Sequence, residues 1–262
     1  MMAAIALRLG RRIEDKLALM RLCACYGGIS RFRGGEITLE TNVPGAPRLH
    51  LRAALPDTIL MVEVLMEQDY RCLRHLSFVP ATILDIGANI GLGSHYMKSL
   101  FPKAQIIGFE PSPAEYRILS ANYAGWDDCK ALQCAIGDED GGQIRFAVHP
   151  ERTGGQHVLG DGESGDWNEI LVQMRRADFL IEAGDIAIPD LVKMDIEGAE
   201  VTALKGFGDY LSKVQAFVLE THSPALHAQC IAMLTAAGHR VVNDVPRSSD
   251  ARILLTEQQT NC

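Results

Sequence analysis

Residues 83–93 read ILDIGANIGLG. An apolar run carries a carboxylate two residues before a glycine, and a second glycine follows four residues on. This is the pattern of a buried strand turning sharply into a helix. Glycine accepts the positive φ such a turn needs and lets a ligand approach the backbone. One strand–turn–helix constrains the rest of the chain, because its strand must pair and its faces must be covered. The sequence supplies the pairing partners. Strand patterns fall at 82–86, 105–109, 130–135, 191–195, 214–219, 239–245 and 251–255, and helix patterns near 91–100, 113–123, 199–206 and 224–237. Strands alternating with helices predict an α/β fold, a mostly parallel sheet with helices on both faces. Only PRSSD separates the last two strands, too short for a crossover helix, so they are expected to form an antiparallel hairpin at the sheet edge.

The first 78 residues read differently. Residues 3–25 follow helical spacing, with Ile5, Leu9, Ile13, Leu17 and Met20 on one face. EITLE and RLHLR alternate around TNVPGAP, predicting a hairpin over 36–52, and 58–76 reads as mostly helical. The expected division is an appendage over 1–78 and a main domain over 79–262. Residues 141–188 interrupt the main domain. GGQIRFAVH and EILVQMRRA read as extra strands around a long polar, glycine-rich stretch. A loop of that length in a compact domain is usually functional or disordered.

Charge and cysteine content narrow the function. The formal net charge of −8 disfavours nucleic acid as a partner. The charge is uneven: residues 1–52 carry nine Lys/Arg and four Asp/Glu, a balance of +5. A basic N-terminal helix suits docking on an acidic surface, including a homodimer through this region. The seven cysteines form no C-x-x-C pair and no zinc spacing, so free thiols in a reducing cytoplasm are expected. No apolar run is long enough for a membrane span, and the N-terminus lacks the order of a secretion signal. The expected location is cytoplasmic.

The glycine turn suits a nucleotide or a methyl donor. A dinucleotide site needs G-x-G-x-x-G directly after the strand, and neither Gly87 nor Gly91 begins that spacing. Asp85 would repel a diphosphate and favour a cationic ligand. Glu110 ends the next strand about 20 residues on, where a carboxylate can accept from ribose hydroxyls. Ala135 and Ile136 end another strand beside Asp138, a shelf and carboxylate suited to adenine. In LVKMDIEG, Lys193 and Asp195 share one side of a strand, and Glu197 follows its end. Glu220 and His222 end the next strand, and a histidine there is a candidate general base.

Four segments, LDIGANIGLGS, IIGFEPSP, AIGDEDG and LVKMDIEGAEVTALKG, together resemble the FkbM-like branch of class I S-adenosylmethionine-dependent methyltransferases. The resemblance covers roughly residues 80–222. It implies a Rossmann-like seven-stranded sheet ending in the antiparallel hairpin. It implies that Asp85, Gly87, Ala88, Asn89 and Gly91 surround the donor's methionine end. Glu110, Pro111 and Ser112 would take the ribose, and Ala135, Ile136 and Asp138 the adenine. Asp195 and Glu197 would lie where donor meets acceptor. Asn89 replaces the middle glycine of the broader class pattern, as it does in this branch. The expected activity is O-methylation of a hydroxyl on a secondary metabolite or sugar, with Glu197 or His222 as base and the 150–170 loop as a lid. A divalent ion on Asp195 and Glu220 is the less favoured variant. The alternatives are a nicotinamide-dependent oxidoreductase and a donor-binding, non-catalytic partner subunit.

Overall fold

A computed structural model describes residues 9–26, 34–42, 48–148, 156–159 and 165–259. Strand β3 (Thr82–Ile86) is central, and its alternation organises two cores. Ile83 points to one face of the sheet, and Leu84 and Ile86 to the other. Parallel neighbours are β4 (Gln105–Phe109) on one side and β9 (Leu191–Met194) on the other. Strand β5 (Cys129–Leu132) extends the sheet beyond β4, and β10 (Ala216–Thr221) extends it beyond β9. The final strands, β11 (His239–Pro246) and β12 (Arg252–Gln258), are the expected antiparallel hairpin. The sheet order is β11-β12-β10-β9-β3-β4-β5. The chain therefore leaves β3 toward β4 and returns to β9 on its other side. The carboxyl ends of β3, β4, β9 and β10 line one edge, with the reversal of order between β3 and β9. Ligands in open α/β sheets bind at such a switch point.

One face carries α5 (Ala177–Glu182), α6 (Glu200–Lys205) and α7 (Pro224–Ala236), with Leu180, Leu204 and Leu234 packed on Val192, Phe217 and Leu254. The other face carries α3 (Leu92–Leu100) and α4 (Pro113–Tyr123) together with the N-terminal elements. These are α1 (Ile13–Tyr26), the hairpin β1 (Glu36–Glu40) and β2 (Arg48–Arg52), and α2 (Leu55–Leu60). Leu19, Leu39, Leu51 and Met61 join Ile83, Ile106 and Val218 in a single core. Arg52 ties the same region to α4 through Glu115, at 2.8 Å.

Several expectations are corrected. The helix expected over 3–25 is interrupted: Leu9 is helical, Gly10 bridges to Thr41, and a helix then spans Ile13–Tyr26, while Ile5 lies outside the described residues. Its apolar stripe does not face the core: Ile13, Leu17 and Met20 are exposed, whereas Leu19 and Leu22 are buried. Asp15 sits on the buried side, accepting from the backbone N–H of Arg12 and Glu40 and so joining the helix start to β1. The segment 58–76 is helical in three gauges, with α2 followed by a π-helix over Met61–Glu67 and a 3₁₀-helix over Asp69–His75. The single strand expected at 130–135 is divided. Its second part, β6 (Ala135–Ile136), leaves the main sheet and pairs with β8 (Asn168–Arg175), which pairs antiparallel with β7 (Gln143–Val148). Cys23, Cys72, Cys129, Cys134 and Cys230 are free thiols. No helix among the described residues is long and apolar enough to cross a membrane.

Candidate active site

The glycine turn after β3 is built from its own hydrogen bonds. Gly87 has φ 75°, and a Cβ there would lie 1.9 Å from the Asp195 carbonyl oxygen, so the turn and the end of β9 meet only through glycine. Asn89 has φ 51°, and asparagine is among the few non-glycine residues that tolerate this region. The N–H groups of Gly87 and Ala88 both donate to Phe109 O at 3.0 Å, and that of Gly91 donates to Ala88 O at 2.8 Å. Asn89 N–H donates to Glu110 Oε2 and Ile90 N–H to Asn89 Oδ1, each at 2.8 Å. Every amide from 87 to 91 thus has an internal acceptor. A pyrophosphate site needs such amides directed at the ligand, so the turn is not built for a dinucleotide.

Glu110 is 5% exposed, and its carboxylate also accepts from Ser112 N–H at 2.9 Å. Burial pushes its pKa up to about 8, against the lowering effect of the two backbone N–H groups. Each oxygen keeps lone-pair capacity for a further donor. Glu110 and Pro111 line a cavity at the sheet edge, with Gly87, Ala88 and Asn89 beside them. On the side of β6 and β7 the cavity lining is apolar, with Ala135, Ile136, Phe146 and Val158.

The side toward β9 is charged. Asp195 and Glu197 line it where β9 runs out, and Glu197 holds a left-handed φ of 52°. Behind them stands His222, just past β10. Its Nδ1 lies 2.9 Å from Glu200 Oε1, and its Nε2 lies 3.4 Å from Glu197, 3.6 Å from Asp195 and 3.7 Å from Glu220. Burial alone would lower the imidazole pKa, but the Glu200 hydrogen bond and the charges of Asp195 and Glu197 outweigh it and raise the value to about 9. His222 is therefore an imidazolium at neutral pH. Burial and the charge of Asp195 raise Glu220 to about 8, against the effect of Arg247, with which it is paired. Asp195, Glu220 and His222 each offer a ligand atom within 4.8 Å of the others.

With this geometry in view, comparison with known proteins is informative. The family described as the methyltransferase FkbM domain matches residues 85–241, more than half of the chain. The chain belongs to the FkbM methyltransferase family. It is 31% identical over 194 residues to methyltransferase sdnD of Sordaria araneosa, covering 62% of this chain and 74% of that one. It is 27% identical to the 31-O-demethyl-FK506 methyltransferase FkbM of Streptomyces tacrolimicus, covering 76% and 87%. It is 28% identical to the 2-O-methyltransferase NoeI of Sinorhizobium fredii, covering 55% of this chain and 65% of the relative. The fold and the family agree: this is an S-adenosylmethionine-dependent methyltransferase on a Rossmann-like sheet.

Within the methyltransferase, the residues singled out from sequence divide into two groups. Gly87, Ala88, Asn89, Glu110, Pro111, Ala135, Ile136, Asp195 and Glu197 all line the cavity. Asp85, Gly91, Ser112, Asp138 and His222 are not on its lining. Asp85 is fully buried beneath the turn, where it accepts from Ser94 Oγ at 2.6 Å and pairs with Lys193 Nζ at 3.0 Å. Its charge is met by the protein. Gly91 opens α3. The Ser112 hydroxyl is bonded to Glu115. Asp138 follows β6, and its backbone carbonyl accepts from Arg176 Nη1 at 2.8 Å.

Other cavity residues gave no local signal in the sequence. Leu60, Val64 and Tyr70 come from the segment read as an appendage, Phe146 from β7, and Gln156 and Val158 from the stretch between β7 and β8. Their contribution depends on tertiary packing. Lys193 was visible as a charge in an apolar strand. In the structure it donates to Gly87 O at 2.9 Å and anchors the turn.

Proposed function

We propose that the methyltransferase acts on a hydroxyl group of a small metabolite or a glycan. The observation that carries this reading is the polarity of the cavity, apolar at Ala135–Phe146, singly acidic at Glu110 and multiply acidic at Asp195–Glu197. That sequence of surfaces matches adenine, ribose and a cationic methionine end. The fit also rests on Glu110, whose buried carboxylate retains acceptor capacity for ribose hydroxyls. When bound, S-adenosylmethionine supplies an electrophilic methyl group. The relatives NoeI and FkbM are named for O-methylation, which supports an oxygen acceptor here.

In this reading the protein contributes alignment and proton removal. Asp195 holds the positive end of the donor by charge, and Ala135, Ile136, Phe146 and Val158 exclude water from the adenine. Glu197 would take the acceptor hydroxyl's proton at its carboxylate, leaving the oxygen free to displace the donor's neutral thioether from the methyl carbon. Glu197 is preferred to His222 as base because the imidazolium already carries its proton at neutral pH. Its backbone conformation is one that non-glycine residues hold where the surroundings enforce it, often at functional sites. The Glu197→Gln enzyme is expected to bind the donor within about threefold of wild type while transfer falls at least about 100-fold. Calorimetry with the donor, and labelled-methyl incorporation into an extract of the source cells, measure the two quantities. Wild-type rates would remove Glu197 as base.

One observation favours a second reading. Asp195, Glu220 and His222 have the ligand types and spacing to hold a divalent ion, which would acidify the acceptor hydroxyl. Against it, the guanidinium of Arg247 is already on Glu220. Transfer that survives chelation and dialysis would eliminate this variant.

A further inference from the structure

The family match begins at residue 85, yet one wall of the cavity comes from the chain before it. Tyr70 is the residue of that wall with chemistry to offer. It is 3% exposed, and its hydroxyl donates to Asp195 Oδ2 at 3.2 Å. Its ring centroid lies 5.6 Å from Lys193 Nζ, the ammonium that holds the glycine turn. Burial, reinforced by the charges of Asp195 and Glu220, holds the phenol well above its ordinary pKa, so the hydroxyl keeps its proton and remains a donor. The other oxygen of the Asp195 carboxylate faces His222 Nε2 at 3.6 Å. Tyr70 and His222 therefore address the same carboxylate through its two different oxygens.

The backbone explains how Tyr70 reaches inward. The π-helix over Met61–Glu67 ends at Gln68, whose φ of 57° is left-handed, and the 3₁₀-helix that follows starts at Asp69. Asp69 is held from outside the segment. Arg247, just past β11 at the hairpin tip, places Nη2 3.0 Å from Asp69 Oδ2 and 2.9 Å from Glu63 Oε2. The same guanidinium pairs with Glu220 through Nη1. One side chain thus links the π-helix, the residue before Tyr70, the end of β10 and the C-terminal hairpin.

We propose that Tyr70 is a positioning residue for methyl transfer, its hydroxyl fixing the Asp195 carboxylate at the donor–acceptor junction, with Arg247 as the clasp that holds the segment of Tyr70 in place. Neither residue lies within the family match. The proposal rests on the reading that Asp195 meets the methionine end of the donor. It differs from a packing role in one respect: the effect of the hydroxyl must pass through Asp195.

A double-mutant cycle tests this. S-adenosylmethionine affinity is measured by calorimetry for wild type, Tyr70→Phe, Asp195→Ala and the double variant, with Asp195→Leu as replacement if the Ala variant does not fold. The expected result is a loss of about tenfold for Tyr70→Phe in the wild-type background and less than about twofold beside Asp195→Ala. Equal losses in both backgrounds would overturn the proposal. Arg247→Gln should weaken the donor as Tyr70→Phe does, and Arg247→Lys should recover part of the loss. Unchanged affinity in Arg247→Gln would overturn the clasp. If wild type does not bind the donor, the functional reading fails. The same cycle read on the melting midpoint then decides the Tyr70–Asp195 bond: non-additive shifts keep it, and additive shifts remove it.

Discussion

At Glu110 burial and ligand binding are in competition. Burial pushes the Glu110 carboxyl pKa up to about 8, whereas ribose hydroxyls donate to the ionised form. Donor binding should therefore release a proton near neutral pH. Affinity is expected to rise with pH by up to about tenfold per unit until about pH 8 and to level off above it. Calorimetry from pH 6 to 9, in buffers of different ionisation enthalpy, reads both the slope and the proton. Glu110→Gln should bind more weakly and remove that slope. Glu110 was legible in the sequence because a carboxylate at a strand end is conspicuous. Asp85 was equally conspicuous and has another task, since only the fold shows that Lys193 and Ser94 surround it. Tyr70 was not legible: its partner Asp195 is 125 residues away in the chain.

Among the elements, period-two strands were easier to read than the orientation of a helix. β3, β4 and α4 begin and end where the sequence pattern places them. Their apolar runs are short and bounded by turn residues. In α1 two candidate stripes coexist, and the one built from Ile13, Leu17 and Met20 faces solvent. The other won because Asp15 finds two backbone donors on the buried side. A buried carboxylate without them would be unfavourable. The difference is measurable. Leu22 is fully buried, and Leu22→Ala should lower stability by about 2–5 kcal/mol. Leu17 is 60% exposed, and Leu17→Ala should change stability by about 0.5 kcal/mol or less. Denaturant midpoints of the two variants distinguish the faces, and a larger loss at Leu17 would mean the helix packs by its other side. The division of the strand pattern 130–135 between two sheets had no sequence cue beyond its length. The departure of β6 also brings Ala135 and Ile136 to the cavity lining, together with Phe146 of β7.

For the molecule as a whole, alternation made the α/β class and the terminal hairpin legible, but not how closely the first 78 residues join the rest. Leu19, Leu39 and Met61 share one core with the central strands, and Leu60, Val64 and Tyr70 wall the cavity. The position of β12 has a different consequence. It is the last strand in chain order, yet it lies inside the sheet between β10 and β11, with Ile253 to Glu257 buried. During synthesis β10 and β11 emerge first and cannot pair with each other in the native arrangement. Their facing edges stay open until residue 258 has left the ribosome. At roughly 5–20 residues per second, the stretch from Ala216 to Gln258 takes on the order of seconds, an interval in which two unpaired strand edges need protection from other chains. The nascent chain is thus most exposed to aggregation shortly before the strand that closes its sheet becomes available.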